Sequence, residues 1–389
     1  MEPTSPLPTD NSPSLAYALQ HTFGRIQHSS GSFLEYLAMY LKLIKDKVHR
    51  MTIDPPIDTR VETVGLDAAG LVALADIGTV QERTVLAGTS SFLDIFVLVP
   101  GLHLQQKAPS LNAGEHPACG ALTTGYVFRV ENPATVFYLQ RVGRTGHLTH
   151  VEVEKVAKPT TWYGTLFSIL LPGQEMSLLP ITAYLLAVSW GIGVFILLAL
   201  TGDWWGLTMC GSLMAARFIN YVIIRERSHP GWAGADEGNT EGDLLILLSQ
   251  DRWVRMKGLV NDLKAVTSGQ WLRRERPIES WFTAIATVSV YLVAALAGNV
   301  EQFGKILLLC LFIGSAGLLA IANTCTQQLH MHGCVLNVVG EPKKYVRRRD
   351  LTDELIAESG RNDWAIGMGM ITAPTQNNES FRGGAAVVT

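Results

Sequence analysis

Four stretches of this sequence are apolar at nearly every position, while the rest of the chain is mixed. They are 178–201 (LLPITAYLLAVSWGIGVFILLALT), 204–224 (WWGLTMCGSLMAARFINYVII), 281–298 (WFTAIATVSVYLVAALAG) and 304–323 (GKILLLCLFIGSAGLLAIAN). Each meets the requirement of about 20 apolar residues for a helix that crosses a bilayer. Only Gly202 and Asp203 separate the first two, and only residues 299–303 the last two, so they read as two hairpins, 178–224 and 281–323. Trp204, Trp205 and Trp281 stand at the run ends, where indole rings suit a membrane–water interface.

Elsewhere the pattern changes period. Residues 1–31 are rich in Ser, Pro and Thr and read as disordered. Over 32–50, Phe33, Leu37, Leu41, Ile44 and Val48 share one helical stripe, with Lys42, Lys45, Lys47 and Arg50 crowding the end. That is an amphipathic helix, lying in the membrane plane or packed on the rest of the protein. Residues 51–177 read as a β-rich cytosolic region, with strands at 92–99, 125–130, 135–142 and 147–156 and turns at Asn132-Pro133 and 143–146. Val151 and Val153 alternating with Glu152 and Glu154 fit a sheet with one wet face. WYGTLFSILLPG (162–173) reads as an interfacial element. DLLILLS and RWVRMKGLV in the loop 225–280, and CVLNVVG in the tail 324–389, add strand segments. A helix follows from Asp350 to about Ser359, stopped by Gly360, before a disordered end.

The predicted fold is a membrane α-helical protein, four transmembrane helices in two hairpins. A cytosolic α+β module is assembled from the N-terminal region, the central loop and the C-terminal tail, since none of these pieces has a complete core alone. Orientation comes from the basic residues. Nine lie in 225–280 and five more between Lys343 and Arg349, whereas the two hairpin turns hold none. The positive-inside rule puts both termini and the central loop in the cytosol.

Composition narrows the function classes. Charged residues are 17% of the 389, against about 25% in soluble proteins. The 31 basic and 34 acidic residues nearly cancel, which leaves no electrostatic footprint for nucleic acid. The five cysteines have no framework spacing and read as reduced thiols. The polar, Pro-rich start carries no cleaved signal, so the first span serves as its own insertion signal. Phosphate-loop, zinc-helix and nucleophile-elbow motifs are absent, and no motif asks for a cofactor.

The stretch DLLILLSQDRWVRMKGLVNDLKAVTSGQWLRRERP, with the paired apolar runs around it, resembles multi-pass membrane proteins of filamentous fungi. The resemblance covers most of the chain after about residue 60. It implies a multi-pass architecture and brings no catalytic signature.

Two constellations carry candidate chemistry. Arg217 is a permanent charge inside an apolar run, seven residues from the end at Ile224 and so ~10 Å deep at 1.5 Å per residue. No Asp or Glu lies within any span to neutralise it. It either snorkels to a lipid phosphate or faces the bundle as a fixed cation for an anionic lipid or solute. In the second reading Asn220, with Thr287 or Ser315, supplies its hydrogen-bond acceptors, and Arg217→Leu folds at least as well while losing the bound anion. The second constellation, Cys325, His330, His332 and Cys334, holds soft metal ligands, and in an extended strand the last three share one side. Its spacing matches no zinc framework, and an ordinary membrane-exit segment is the preferred reading.

Small residues at four-residue spacing (Gly211 and Ala215, Ser212 and Ala216, Ala316 and Ala320) suit close helix packing or a homo-oligomer. The function expected is non-enzymatic: a membrane-organising or regulatory protein that binds lipid or partner proteins through its cytosolic module. An oligomeric transporter or channel for anionic solutes is the second expectation, and a membrane-bound enzyme on lipid substrates the third.

Overall fold

The computed structural model describes residues 69–156, 178–231 and 234–372. The helix expected over 32–50, the disordered start, the 162–173 element and the chain end lie outside these residues. In chain order the described helices are α1 (Ala69–Ala73), α2 (Thr79–Ala87), α3 (Pro133–Val142), α4 (Leu178–Thr201), α5 (Trp204–Arg227), α6 (Val260–Thr267), α7 (Pro277–Leu296), α8 (Gln302–Cys325), α9 (Arg348–Ser359) and α10 (Asp363–Gly367). Two 3-10 segments, Phe92–Phe96 and Leu102–Asn112, lie between α2 and the first strand.

Four of the helices are long and apolar enough to cross a membrane: α4, α5, α7 with its 3-10 extension to Asn299, and α8. Their bounds match the four apolar runs, extended by a few polar residues at the ends. Their closest packing is not between chain neighbours. The first lies along the fourth and the second along the third. Leu186, Trp190, Ile196, Phe282, Ile285, Leu292 and Ile313 form part of an exposed apolar belt on their outer faces.

The strands are β1 (Ala118–Ala121), β2 (Val127–Arg129), β3 (His147–Lys155), β4 (Glu241–Leu248), β5 (Arg252–Leu259), β6 (Leu329–Met331) and β7 (Cys334–Lys344). They form one seven-stranded sheet in the order β2-β1-β4-β5-β3-β7-β6. All pairs are antiparallel except β3 with β5. Three separate pieces of chain, parted by the apolar helices, thus supply one sheet. Alternation assigns its faces. Leu244, Ile246, Val254, Met256, Val151 and Val153 face a core shared with α2, α3, α6 and Ile224 of α5. Leu148, Leu245 and Trp253 face a second core under α9 and α10. The wet face expected at Glu152 and Glu154 is present only at that end of β3; the centre of the sheet is covered on both sides, as the unbroken run LLILL of β4 requires.

Two expected strands are corrected. Residues 135–142 belong to the helix α3. Asn132 is its N-cap, accepting from the Ala134 and Thr135 amides at 3.0 and 3.3 Å, and Pro133 opens its first turn. Asn-Pro therefore starts a helix rather than making a turn, and burial of Thr135, Val136 and Leu139 overrides the β-propensity of TVFY. Residues 92–99 begin as a 3-10 turn. Ser91 and Asp94 form a capping box, with the Ser91 amide donating to Asp94 at 2.7 Å, and pairing with the sheet never starts.

The β-rich region expected over 51–177 is therefore only partly a sheet. Residues 69–112 link bundle and sheet: Ala73, Leu98 and Leu102 pack in the bundle, Val85, Leu86 and Ala108 in the core of the sheet. α1 packs on α7, α8 and the 297–299 turn, at the end remote from the sheet. A Cβ on Gly70 would collide with the Ala294 carbonyl, and one on Gly191 with that of Phe96, so these glycines let irregular backbone lie against helix. Val97, Leu98, Val99 and Leu102 are fully buried there. At the sheet end, Arg141 of α3 donates to the Asn323, Thr324 and Thr326 carbonyls (2.7, 2.9 and 3.1 Å), closing the C-terminus of α8 with a positive charge.

Candidate functional site

The structure answers what Arg217 does inside its helix. Its side chain is 2% exposed, buried within the protein. Nε donates to the Asp94 backbone carbonyl at 3.2 Å and Nη1 to Gln105 Oε1 at 2.6 Å. Both acceptors come from the 3-10 segments that enter the bundle, more than a hundred residues earlier in the chain.

The surrounding side chains form a continuous polar seam. Gln105 passes the contact on, donating to Thr84 Oγ1 (3.1 Å) and Ser90 Oγ (3.2 Å). The Asp94 carboxylate, itself buried, accepts from Ser90 Oγ, the Ser91 amide and Tyr184 Oη at 2.9, 2.7 and 2.8 Å. It supplies the negative charge that the spans lack. One turn further along α5, Asn220 accepts from Gln106 Nε2 at 3.1 Å, and Gln106 accepts from Arg227, which also pairs with Glu275 at 2.7 Å. A buried guanidinium is tolerated because neutral acceptors and a nearby carboxylate satisfy it.

The four residues expected around an anion are thus only partly brought together. Arg217 and Asn220 share the seam through the adjacent Gln105 and Gln106. Thr287 donates to Thr283 of its own helix at 2.9 Å. Ser315 is fully buried, and its Oγ has no hydrogen-bond partner among the described residues. Neither bonds Arg217. Asp94, Gln105 and Tyr184 were missed from the sequence. The Ser91-Phe-Leu-Asp94 capping-box pattern was the one local signal for Asp94, and its contact with a distant helix has no local signal.

The Cys/His constellation also takes a different form. His332 and Gly333 have positive φ (50° and 78°) and make the tight turn between paired Met331 and Cys334, so His332 is not on an extended strand. The Cys334 thiol is pushed up to about 12 by burial and then by the charge and hydrogen bonding of Asp262, which keeps it protonated and a poor ligand. His330 is pushed down to about 4, mainly by burial and further by the Arg83 charge. His332 is lowered by burial, against a contact to the Gln270 carbonyl. Among the described residues no three His, Cys, Asp or Glu side chains are placed to hold a metal ion.

The same end of the molecule carries a cleft of about 620 Å³ lined by Ala87, Arg225, His229, His330 and His332, among others. Comparison with family models, curated proteins and solved structures gives no match. Chemistry for this chain is read from this geometry alone.

Proposed function

We propose that this chain is a multi-pass integral membrane protein of non-enzymatic, membrane-organising or regulatory type, its α+β layer facing the cytosol and binding lipid or partner proteins. The observation that carries the reading is the interleaving of sheet and helices. Strands from three chain pieces alternate with the four apolar helices, and residues 88–112 run from the sheet into the bundle and back. Movement of one helix therefore strains the sheet, which is the property a membrane-coupled regulator needs. The exposed apolar belt supports insertion, because a water-soluble chain would bury it. The basic residues of 225–280 and 343–349 support a cytosolic sheet. The same rule assigns the N-terminus to that side, and a protease-protection reporter at the N-terminus tests it.

The test of the main reading is hydrogen exchange in nanodiscs on the wild type and on Gly191→Val, a wedge against Phe96. Altered protection in β4 and β5, far from the substitution, is the expected result. A change confined to α4 and residues 92–102 would sink the coupling.

A second reading, an oligomeric transporter or channel for anionic solutes, is favoured by one observation. Irregular backbone at membrane depth occurs where it is buried in protein or lines a pathway, and residues 92–102 lie between the long helices next to Arg217. Anion flux into reconstituted vesicles, lost in Arg217→Gln, would move this reading ahead of the first.

A further inference from the structure

Charge in the buried region at the sheet end of the bundle does not balance. Arg83 on α2 and Arg217 on α5 are 3% and 2% exposed, and among the described residues the carboxylate buried beside them is Asp94. Asp94 is already held by Ser90, Ser91 and Tyr184. Arg217 has its two acceptors. Arg83 has none: among the described residues its guanidinium makes no hydrogen bond or ion pair, and Nη2 is fully buried without a partner. The guanidinium carbon lies over the Tyr184 ring, 4.8 Å from its centroid. A cation–π contact offsets only part of the desolvation cost of an unpaired buried ion.

A second unpartnered group lies beside it. His330 Nε2 is buried with no hydrogen-bond partner, and the Arg83 charge acts on that ring. His330 lines the cleft of about 620 Å³ together with Ala87, one helical turn beyond Arg83 on the same face of α2. The rest of the cleft wall is part apolar, with Val156, Pro230 and Met331, and part basic and hydroxylic, its hydroxyls engaged: Ser228 Oγ donates to the Arg225 carbonyl at 3.0 Å and pairs with Thr89 Oγ1 at 2.8 Å. It holds Arg225, His229, His332, Thr89 and Ser228, with no Asp or Glu. Arg225 forms no ion pair among the described residues; Glu226 reaches only His229, at 4.0 Å, and both of those side chains are largely exposed.

We propose that this cleft binds a phosphate oxyanion, with Arg225 on its wall and Arg83 buried one helical turn behind Ala87 as the positive charges, and the His330 and His332 rings as neutral partners. The ligand chemistry is that of a phosphate group, carried by an anionic lipid or free in solution. Arg225 lies in the last turn of α5, two residues before its end at Arg227, the level at which a lipid phosphate would lie if α5 crosses a bilayer. The inference is independent of the regulatory reading, since a chain that regulates nothing can still hold a phosphate here. Loss of binding would also leave the coupling of bundle and sheet untouched.

The experiment uses the full chain, purified and delipidated in detergent, with its thermal midpoint followed against three additives: dioctanoyl phosphatidic acid, dioctanoylglycerol and inorganic phosphate. Phosphatidic acid should raise the midpoint and dioctanoylglycerol should not. A rise with inorganic phosphate as well identifies free phosphate as a sufficient ligand; a rise with phosphatidic acid alone identifies a lipid. Arg225→Gln, on the cleft wall, should weaken the apparent affinity about tenfold, the loss expected of one charge-assisted contact. Arg83→Gln should do the same and Arg83→Lys should keep most of it. If Arg83→Gln does not fold, Arg225→Gln decides. No midpoint shift with either phosphate compound, or an unchanged affinity in Arg225→Gln, overturns the proposal.

Discussion

Arg217 in the bundle and Arg255 in the sheet are both well-buried guanidiniums held in opposite ways. Arg255 forks onto Asp243 (3.0 and 2.7 Å) and reaches Glu358 at 2.6 Å, with Asp243 and Glu358 side chains 17% and 47% exposed. Burial works against its charge, but the hydrogen bonds and charges of these two carboxylates outweigh that and raise its pKa. Arg217 is held by a backbone carbonyl and an amide oxygen, and the carboxylate near it is occupied by hydroxyls and an amide. Near water, a carboxylate opposite an arginine is easily accommodated, because solvent reaches whatever the pair leaves unsatisfied. In the bundle every charge carries a large desolvation cost, so a single carboxylate is shared and neutral dipoles do the rest.

The comparison breaks most severely at Asp94. Asp94→Ala removes three hydrogen bonds and the sole negative charge near two buried guanidiniums, and should destabilise by ~3–5 kcal/mol, the range for an uncompensated buried charge. The thermal midpoint in detergent measures it; a loss no larger than that of a surface carboxylate would refute the shared-carboxylate account. Arg217→Leu comes next. From the sequence this change is expected to fold at least as well as the wild type. With Gln105 Oε1 and the Asp94 carbonyl deprived of the Arg217 donor, it should instead cost ~1–3 kcal/mol. Arg217→Lys should cost less in the same assay, keeping the charge while losing the planar fork.

A smaller loss is expected at His330, whose ring lines an open cleft. Its folded pKa of about 4 lies below the ordinary 6.5, so between these values the unfolded chain binds a proton that the folded ring refuses. The contribution of His330 is full above pH 6.5 and is lost as the pH drops towards 4. Midpoints recorded across that window should decline in the wild type and decline less in His330→Gln. The smallest effect belongs to the sheet. Glu358→Ala leaves Arg255 its fork to Asp243 and should cost under ~1 kcal/mol. A loss as large as that at Asp94 would erase the distinction between the two regions.

The sequence by itself determined the elements whose cause is local. The four apolar helices fall where unbroken apolarity puts them, and Gly360 ends α9 as expected, with φ +67°. Strands β3, β4, β5 and β7 follow from alternation or from short apolar runs between turn residues. The composite sheet was inferable because no single piece has a core. Tertiary structure decided the rest. TVFYLQRV is helical because Asn132 caps it and its buried side chains follow a helical period. FLDIFVLV leaves the sheet because Ser91 and Asp94 turn it into the bundle, where Gly191 makes room. Arg217 was legible as an anomaly, while its partners Asp94 and Gln105 were not. A buried charge must be satisfied, but hydrogen bonds between residues more than a hundred positions apart leave no periodic mark on either one.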